Sequence, residues 1–471
     1  MKKFVWHIPQ ESKANVKEHL NNGYQCVQWS LYFSVILMSI GLSALEMWMT
    51  PALSFLISDD FKFPVSEDQI SWLASIFNIG EIIGFLTYPL LIDRFGRKYT
   101  IIFFTLPQIV SCTLVLIAQN IITLYSARII GGFSIGAMVV TQVIFVIEIV
   151  EKDNRGLIMS ILWFSSSFGS ICSMFLGAFF SYDTMNLVIL LMQPAFIIPF
   201  FQIPESPYFY LKVNREDEAI KSLSKLRKNN DPQTIKLQVK SMRECIEDEK
   251  RSKLTLKNII QNKCYRKGFI IMVTIKLGVL FSGNGVIIIY LQEIFMYTGF
   301  SLAPEYSTVI VATSSIVFVV PILYLADIFG RRYVIIIGSC ISFISLFYLG
   351  LFFFMKNYLY VKNLTTIAWT PLLAIIIFLI TTDILVSTTM ILSGELFSTQ
   401  IKGPALSFIS IMSKFFEVLL KLSFASGIRI FDIYGTFWIY ALISFSLLMI
   451  CLKFLPETKG KSLEEIQLLL N

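Results

Sequence analysis

Two kinds of charged residue stand out in this chain, and the first kind forms short motifs that each occur twice. The copies follow the same order along the chain: Asp93…Gly96-Arg97 and Asp327…Gly330-Arg331, Glu148…Arg155-Gly156 and Glu395…Lys402-Gly403, and Pro204-Glu205-Ser206 and Pro456-Glu457-Thr458. A basic side chain near a helix end can bond free carbonyl groups and interact favourably with the helix dipole. The shared order indicates a duplicated unit rather than chance.

The second kind comprises charged side chains inside long apolar segments: Glu46, Glu81, Arg128, Lys276, Asp383, Lys414, Glu417 and Lys421. A charge at the centre of a bilayer costs about 2.5–3.5 kcal/mol or more, so each should face protein or water. The spacing of Lys414, Glu417 and Lys421 predicts pairing along one helix. Glu46, Glu81 and Asp383 lack an obvious partner in their own helices, and Lys276 could pair with either Glu46 or Asp383. Such a carboxylate could carry a proton or form a static ion pair, and both interpretations stay open.

The elements that position these residues are apolar segments of membrane-spanning length. The 471 residues are 55% hydrophobic and 15% charged, with a mean hydropathy of +0.69, whereas a soluble domain has about 25% charged residues. Twelve segments have about 18 or more residues, enough to cross a hydrocarbon core roughly 30 Å thick. We number them spans 1 to 12: 29–49, 71–92, 100–118, 123–147, 157–180, 185–203, 268–290, 305–326, 333–355, 369–393, 404–427 and 434–453. The sequence therefore predicts an all-α membrane protein with twelve transmembrane helices.

The basic residues predict the orientation, because Lys and Arg accumulate in cytoplasmic loops. With both termini in the cytoplasm, only Lys62, Lys356, Lys362 and Arg429 of the 39 basic residues lie outside. The Asn-x-Thr motif at Asn363 then falls in an outer loop and is the predicted glycosylation site. The first 28 residues lack the apolar region of a cleaved signal peptide, so span 1 is expected to direct insertion itself.

The repeated motifs and the spans divide the chain into two six-helix units. The predicted segments are a cytosolic N-terminal segment 1–28, a bundle 29–203, a cytosolic linker 204–267, a second bundle 268–453 and a cytosolic tail 454–471. In the linker, the spacing of Ile220, Leu223 and Leu226 predicts one helix face, and Asp231-Pro232 predicts the start of another helix.

Several other function classes are disfavoured. The chain has only His7 and His19, and no serine-hydrolase, zinc-protease or complete nucleotide-binding motif, so neither an enzyme nor an ATP-driven pump is predicted. None of the seven cysteines lies in a predicted outer loop and no CxxC pattern occurs, so we expect no structural disulfide, metal site or other cofactor. The net charge of +7 lies mainly in cytosolic loops, which favours contact with the anionic lipid of the bilayer over nucleic acid. No obligate protein partner is evident.

The motifs together resemble the sugar porter family of the major facilitator superfamily. The resemblance covers essentially the whole chain and is carried by DRFGRK, ARIIGGFSIGA, IEIVEKDNRG, PESPYFYL, FSGNGVIIIY, DIFGRR, GELF…IKG and PETKGKSLEEI. The segment WMTPAL at the end of span 1 is most similar to the insect facilitated trehalose transporter-like group. The resemblance implies two pseudo-symmetric bundles in the plasma membrane, with a substrate site between them near the midplane that opens alternately to each side.

The resemblance also implies a role for the repeated motifs. In this family, basic residues at the positions of Arg97, Arg155, Arg331 and Lys402 pair with acids at those of Glu148, Glu205, Glu395 and Glu457. Such pairs form a latch when the cytosolic side is shut and separate when it opens. Asp93 and Asp327 belong to the same motifs. The alternative interpretation is that these charges serve only as topology signals and helix caps.

The substrate is harder to predict because the usual sugar ligands are largely replaced. Where the family has a Gln pair and an Asn in span 7, this chain has Val279, Leu280 and Gly285, and Trp163 stands where span 5 usually has a Gln. Replacement candidates on the spans that would enclose the path are Gln142, Trp163, Asn284, Thr388 and Thr389. Each of them could instead serve helix packing.

Three function classes remain, and the first is a facilitative carrier of a sugar or another small polyol. The second is a proton-coupled or ionic organic-solute carrier, favoured by the intramembrane charges. Its coupling acid lies in span 1 in the family, and Glu46 is one residue away from that position. The third is a non-transporting sensor, favoured by the missing sugar ligands. The first class is the function that the sequence predicts.

Overall fold

The computed structural model describes residues 10–58, 61–151, 154–227, 231–251, 263–361, 364–396 and 399–457, with Lys459 and Glu465. Its side chains are described from Tyr24 onward, except those of 248–264, 318–328, 365, 394 and 397–404 within these ranges. The predicted glycosylation site Asn363 and the side chains of Asp327 and Lys402 therefore lie outside the described residues.

The first half of the molecule contains spans 1 to 6, and each follows a predicted apolar segment. Span 1 is the helix Gln10–Glu46 continued by Met49–Ile57, so the helix begins well before the apolar segment does. The other helices are Glu67–Phe95 for span 2, Arg97–Ile117 for span 3, Ile121–Ile149 for span 4, Arg155–Phe179 for span 5, and Tyr182–Met192 with Ile197–Phe200 for span 6.

The second half contains spans 7 to 12. Span 7 is interrupted twice, as Lys263–Phe281, Asn284–Ile289 and Leu291–Thr298. The helices that follow are Pro304–Phe329 for span 8, Arg331–Asn357 for span 9, a 3₁₀ turn Leu364–Ile367, Thr370–Leu396 for span 10, and Thr399–Phe454 for spans 11 and 12.

Spans 11 and 12 form one continuous helical stretch with a break in the backbone at Asp432, where φ is +55°. Its apolar part, Ala405–Phe454, has 50 residues, about twice the length that one crossing needs. Ten helical stretches in the described ranges are long and apolar enough to cross a membrane, and this one can cross twice.

The two halves meet along spans 2 and 11 and along spans 5 and 8. We call the end of the molecule that carries the linker helices the linker face, and the end that carries residues 61–66 the opposite face. Described cross-half contacts include Thr50 Oγ1 to the carbonyl of Ile288 at 3.0 Å and the rings of Phe179 and Tyr306 with centroids 5.4 Å apart. These contacts join the halves on the side of the opposite face.

The linker packs against the first half. Its helices are Pro207–Lys212, Glu216–Leu226 and Pro232–Arg251, and Leu211, Ala219, Leu223, Ile235, Val239 and Ile246 form a small core among them. Arg227 donates a hydrogen bond to the carbonyl of Ile149 at the end of span 4, at 3.1 Å. Asp231 accepts from the amide of Thr234 at 3.0 Å, which confirms the predicted helix start, and the hydrogen bonds from Thr234 lower the pKa of Asp231.

The turn between spans 2 and 3 depends on one glycine and one carboxylate. Gly96 has φ +90° and ψ 172°, a conformation that is essentially restricted to glycine. The carboxylate of Glu205 accepts hydrogen bonds from the amides of Arg97 and Lys98, each at 3.0 Å, and so satisfies two free N–H groups at the start of span 3. A Cβ at Gly96 would collide with this carboxylate.

The turn between spans 8 and 9 repeats this geometry. Gly330 has φ +91°, and the carboxylate of Glu457 accepts from the amides of Arg331 at 3.1 Å and Arg332 at 3.2 Å. A Cβ at Gly330 would again meet the carboxylate, at 2.7 Å from Oε2 of Glu457. Each half therefore uses a glycine, and a glutamate far away in the sequence, to hold a corresponding pair of helices together. These are spans 2 and 3 in the first half and spans 8 and 9 in the second.

We expect Gly96→Ala to destabilise the protein, because it combines a disfavoured backbone conformation, costing about 1–3 kcal/mol, with a collision against Glu205. Thermal unfolding of the detergent-purified protein checks this. Gly156→Ala is the matched control, because a Cβ at Gly156 meets nothing within 4 Å. A melting temperature of Gly96→Ala equal to that of Gly156→Ala would contradict the assignment.

Candidate functional site

The linker face of the first half holds a buried charge cluster centred on Arg97. Its side chain is only 3% exposed, and Nη2 lies 2.8 Å from Oε1 of Glu148 at the end of span 4. Asp93 lies 3.9 Å from the guanidinium, and the hydroxyl of Ser206 donates to the other carboxylate oxygen of Glu148. The cluster therefore ties the start of span 3 to the ends of spans 2, 4 and 6.

Glu205 belongs to the same cluster, but among the described side chains it forms no ion pair. It accepts hydrogen bonds from backbone amides, including that of Ser206 at 2.8 Å. Burial raises the pKa of Glu205, and the hydrogen bonds from Ser206, Lys98 and Arg97 oppose this rise. The sequence motif identified the carboxylate, but it did not indicate that its partners are the first amides of span 3.

The second half has a corresponding cluster. Arg331 lies 3.0 Å from Glu395 of span 10, and its amide donates to Glu457. Arg155 forms no ion pair with any acid among the described side chains. The pairs that are described join helices of one half and do not cross between halves, so whether they act as a latch stays a prediction.

A second set of charges lies within the membrane-spanning part, where spans 2 and 11 meet. Lys414 of span 11 is 2.8 Å from Glu81 of span 2 and 3.4 Å from Glu417. Lys421 is 2.8 Å from Glu417 and donates to Asn78 at 2.6 Å. Asn78 in turn donates to Glu81 at 3.0 Å, which closes a ring. We call these five residues the charge ring.

The charge ring confirms the pairing predicted from the spacing of Lys414, Glu417 and Lys421. It also gives Glu81 a cationic partner, from the other half of the molecule. Asn78 was missed in the sequence, although it lies three residues before Glu81 and so on the same face of span 2. Every member of the ring has an oppositely charged or hydrogen-bonding neighbour, as buried polar groups require.

Further intramembrane charges surround the ring. Glu46 of span 1 lies 4.0 Å from Lys414. Arg128 of span 4 donates a hydrogen bond to the carbonyl of Leu45 at 3.2 Å. Its guanidinium carbon lies 3.9 Å from the centre of the aromatic side chain of Phe77. Among the described residues, Lys276 is within ion-pair distance of neither of the two acids considered for it, Glu46 or Asp383.

A small cavity of about 50 Å³ lies between the halves beside the charge ring. Its lining comes from spans 1, 2 and 4 of the first half and spans 7 and 11 of the second, and includes Glu46, Glu81, Arg128, Gly285, Glu417 and Lys421. A cavity of this size holds only a few water molecules. Its lining combines acidic and basic side chains with apolar ones, and it lies at the junction of the two halves.

The structure does not bring the five predicted substrate-binding residues together around this cavity, and none of them lines it. Gln142 is buried and donates to the hydroxyl of Ser39 at 2.8 Å. Asn284 accepts from Thr382 at 3.2 Å and is the residue before Gly285, which does line the cavity. The amide of Gln142 therefore serves a contact between spans 1 and 4 in this conformation.

The other three candidates occupy different surroundings. Trp163 is 49% exposed, whereas Thr388 and Thr389 are buried. The hydroxyl of Thr389 donates to the carbonyl of Leu385 in its own helix at 2.6 Å, a common arrangement for threonine inside a membrane helix. These residues remain predictions as substrate ligands.

Comparison with known proteins decides the family. The model of the family described as "Sugar (and other) transporter" matches residues 4–470. The chain belongs to this sugar transporter family. The predicted membership of a sugar transporter family is thereby confirmed.

Proteins similar to this chain include the Facilitated trehalose transporter Tret1 of Bombyx mori. It is 25% identical over 92% of this chain and 85% of its own length. Tret1 of Drosophila willistoni is 23% identical over 98% of this chain. This chain spans only 54% of the length of that Drosophila protein, so it corresponds to about half of some of its relatives.

Solved structures of similar fold include the inward open conformation of the xylose transporter XylE from E. coli, with a TM-score of 0.75, 19% identity and coverage of 94% of this chain and 99% of that one. The proton:xylose symporter XylE bound to 6-bromo-6-deoxy-D-glucose gives a TM-score of 0.69 over 96% of this chain and 99% of that one, at 19% identity. The predicted fold, twelve helices in the major facilitator arrangement, is confirmed.

Arg97→Ala and Glu148→Ala should each reduce transport by about tenfold or more while the protein remains in the membrane, because each leaves a partly buried charge without its partner. Uptake into cells, normalised to surface protein, checks this. Arg94→Ala removes a neighbouring cation that lies outside the cluster and is the control. Wild-type uptake by both cluster variants would contradict a role in transport.

Lys414→Gln should destabilise the fold by about 3–5 kcal/mol, because it leaves Glu81 buried without a cation. The double variant Glu81→Gln/Lys414→Gln should recover most of the loss. Thermal unfolding of the two single variants and the double variant forms a double-mutant cycle. Additive losses in this cycle would show that the two residues do not interact.

Proposed function

We propose that this chain carries a sugar or a related small polyol across the membrane by alternating access, down the gradient of the solute. The main support for this proposal is the cavity between the two halves, whose lining includes the charged residues Glu46, Glu81, Arg128, Glu417 and Lys421. The names of its relatives, which refer to trehalose and xylose transport, support a sugar as the solute.

The distribution of cross-half contacts supports alternating access. Arg429 of the second half is 3.0 Å from Glu67 and 2.9 Å from Asp68 at the start of span 2. The hydroxyl of Tyr290 lies 3.4 Å from that of Ser71. These contacts, like the charge ring, lie between the midplane and the opposite face. The conformation therefore has a shut opposite face.

The small size of the cavity has a mechanistic consequence. At about 50 Å³ it is too small for a sugar, so the walls must separate before a solute can occupy the site. Glu81 of span 2 lines the cavity, and its ion pair with Lys414 of span 11, at 2.8 Å, joins the two halves beside it. Separation of spans 2 and 11 at this point would open the site and exchange ion-pair contacts for water or solute hydroxyl groups.

We propose the same segment boundaries, membrane and orientation for the chain as the sequence predicts. The linker face is cytosolic and both termini lie in the cytoplasm of a plasma-membrane protein, with bundles at 29–203 and 268–453 flanking the linker 204–267. Asn363 is the proposed glycosylation site. Among the predicted ligands, Asn284 has the strongest case, because its neighbour Gly285 lines the cavity.

The charge ring also favours a second candidate function, transport coupled to protons. Glu46 and Glu81 lie 4.0 and 2.8 Å from the ammonium group of Lys414, which Glu417 also contacts at 3.4 Å. A proton on one of them would weaken the contact between spans 1, 2 and 11 and so link protonation to opening.

Uptake of labelled trehalose, glucose and polyols into proteoliposomes tests both candidates. A facilitative carrier gives saturable uptake that an imposed pH gradient does not change. Uptake driven by the gradient, and lost in Glu81→Gln, would instead favour proton coupling. No uptake of any of these solutes by folded protein would contradict the proposed function.

Arg429→Gln should shift the protein towards a conformation open at the opposite face, because it removes two exposed cross-half ion pairs. Such pairs contribute about 0–1 kcal/mol each, so thiol labelling of a reporter Ser71→Cys should accelerate by about two- to fivefold. Lys62→Gln is the matched control, because the pair Lys62–Asp183, at 2.8 Å, lies within one half. Equal labelling rates in the two variants would contradict the assignment.

A further inference from the structure

Lys276 is a lysine within the membrane-spanning part that the ion pairs of the candidate site leave unused. It lies in the first segment of span 7, Lys263–Phe281, and it forms no ion pair or hydrogen bond with any described side chain. An ammonium group at this depth costs free energy unless water or a ligand solvates it. A lysine without a protein partner at such a position therefore indicates a ligand-binding role.

The packing of span 7 shows which way Lys276 points. Ile275 and Val279 belong to the packed face, in the core that spans 7 and 12 share. Phe269 precedes Lys276 by seven residues and so lies on the same helix face. The ring of Phe269 contacts that of Phe408 of span 11, with centroids 6.0 Å apart. Lys276 therefore projects from the face of span 7 next to span 11, where it is partly exposed.

The electrostatic surroundings of Lys276 are positive. The charged groups that act on it are Lys414 and Glu417 of span 11, and the repulsion from Lys414 is the stronger of the two effects. Both groups belong to the charge ring, in which Lys414 lies 2.8 Å from Glu81 of the first half. Lys276 therefore lies near the junction of the two halves, at a point where the net potential favours an anion.

The space on this side of the charge ring is accessible to solvent. The side chains of Glu46 and Lys414 are 37% and 22% exposed, although both lie between the halves within membrane-spanning helices. Lys276 lies nine residues before Gly285, which lines the small cavity, and so on the linker-face side of that cavity. Since the opposite face is shut, a solute that enters from the linker face reaches Lys276 before it reaches the cavity.

We propose that Lys276 binds a carboxylate of the solute, and that the solute is a sugar acid, a polyol with one ionised carboxyl group. This proposal rests on the proposed function and names the class of sugar. An ammonium group donates up to three hydrogen bonds, and those to a carboxylate are about twice as strong as those to a neutral hydroxyl. The next residue on this face, Leu280, is apolar, so Lys276 is the polar anchor that span 7 offers here.

Uptake of labelled glucose and glucuronate into proteoliposomes, with the membrane potential held at zero, tests the proposal. The two solutes differ at one carbon, which carries a carboxylate in glucuronate. We expect half-maximal uptake of glucuronate at a concentration about tenfold or more below that of glucose. Lys276→Gln should remove this preference, and Lys276→Arg, which keeps the charge, should retain most of it. Lys236→Gln makes the same charge change on an exposed linker residue and should leave the preference unchanged.

Thermal unfolding separates a solute ligand from a cation that supports the fold. Because Lys276 has no partner among the described side chains, Lys276→Gln should leave the melting temperature unchanged or raise it. Lys414→Gln, which breaks the ion pair with Glu81, should lower it. A loss in Lys276→Gln as large as that in Lys414→Gln would show a structural partner and overturn the proposal.

The solutes that the protein takes up distinguish this proposal from the proposed function. Uptake of trehalose or glucose without a preference for glucuronate, or a preference that Lys276→Gln does not change, would overturn the proposal and leave sugar carriage standing. Uptake of none of these solutes by folded protein would contradict both. Full competition by lactate, which shares only the carboxylate with glucuronate, would show that the site does not recognise a sugar and would overturn the assignment of a sugar acid.

Discussion

The charge ring joins span 2 of the first half to span 11 of the second within the membrane-spanning part. Charged groups in the interior of a membrane protein are retained only where each has a partner, and here Glu81 finds its cation, Lys414, in the other half of the molecule. The ring therefore fixes how the two halves meet. It also places buried charge pairs beside the cavity between the halves, so residues that hold the halves together also line or flank this cavity.

The two halves are held internally by a different device. In each half, a glutamate that follows the last span, Glu205 or Glu457, accepts hydrogen bonds from the first two backbone amides of a helix. That helix follows a glycine whose positive φ other residues rarely adopt. These contacts are repeated because the unit is duplicated, whereas the charge ring has no copy among the described side chains. Repeated contacts thus make each half rigid, and unique contacts relate one half to the other.

The sequence predicted local features well and long-range register poorly. Apolar length located the spans, and helical spacing predicted that Lys414, Glu417 and Lys421 interact. The contacts Glu81–Lys414 and Asn78–Lys421 depend on how spans 2 and 11 are rotated and shifted against each other, which no local pattern encodes. For the same reason Gln142, a plausible solute ligand by position, directs its amide to Ser39 of span 1. Resemblance to a family predicted a site between the two halves, and the contacts of individual side chains there became visible only in the structure.

We infer that contacts between the halves at the opposite face must break during transport. Ser54 of span 1 and Gln292 of span 7 hydrogen-bond across this junction, so Ser54→Cys/Gln292→Cys, in a background without the native cysteines, allows the junction to be cross-linked with a short thiol reagent. We expect cross-linking to abolish solute uptake and reversal of the cross-link to restore it. The same treatment of Lys62→Cys/Asp183→Cys, a pair within one half, should leave uptake unchanged. Full uptake by the completely cross-linked Ser54→Cys/Gln292→Cys protein would show that this contact between the halves need not break during transport.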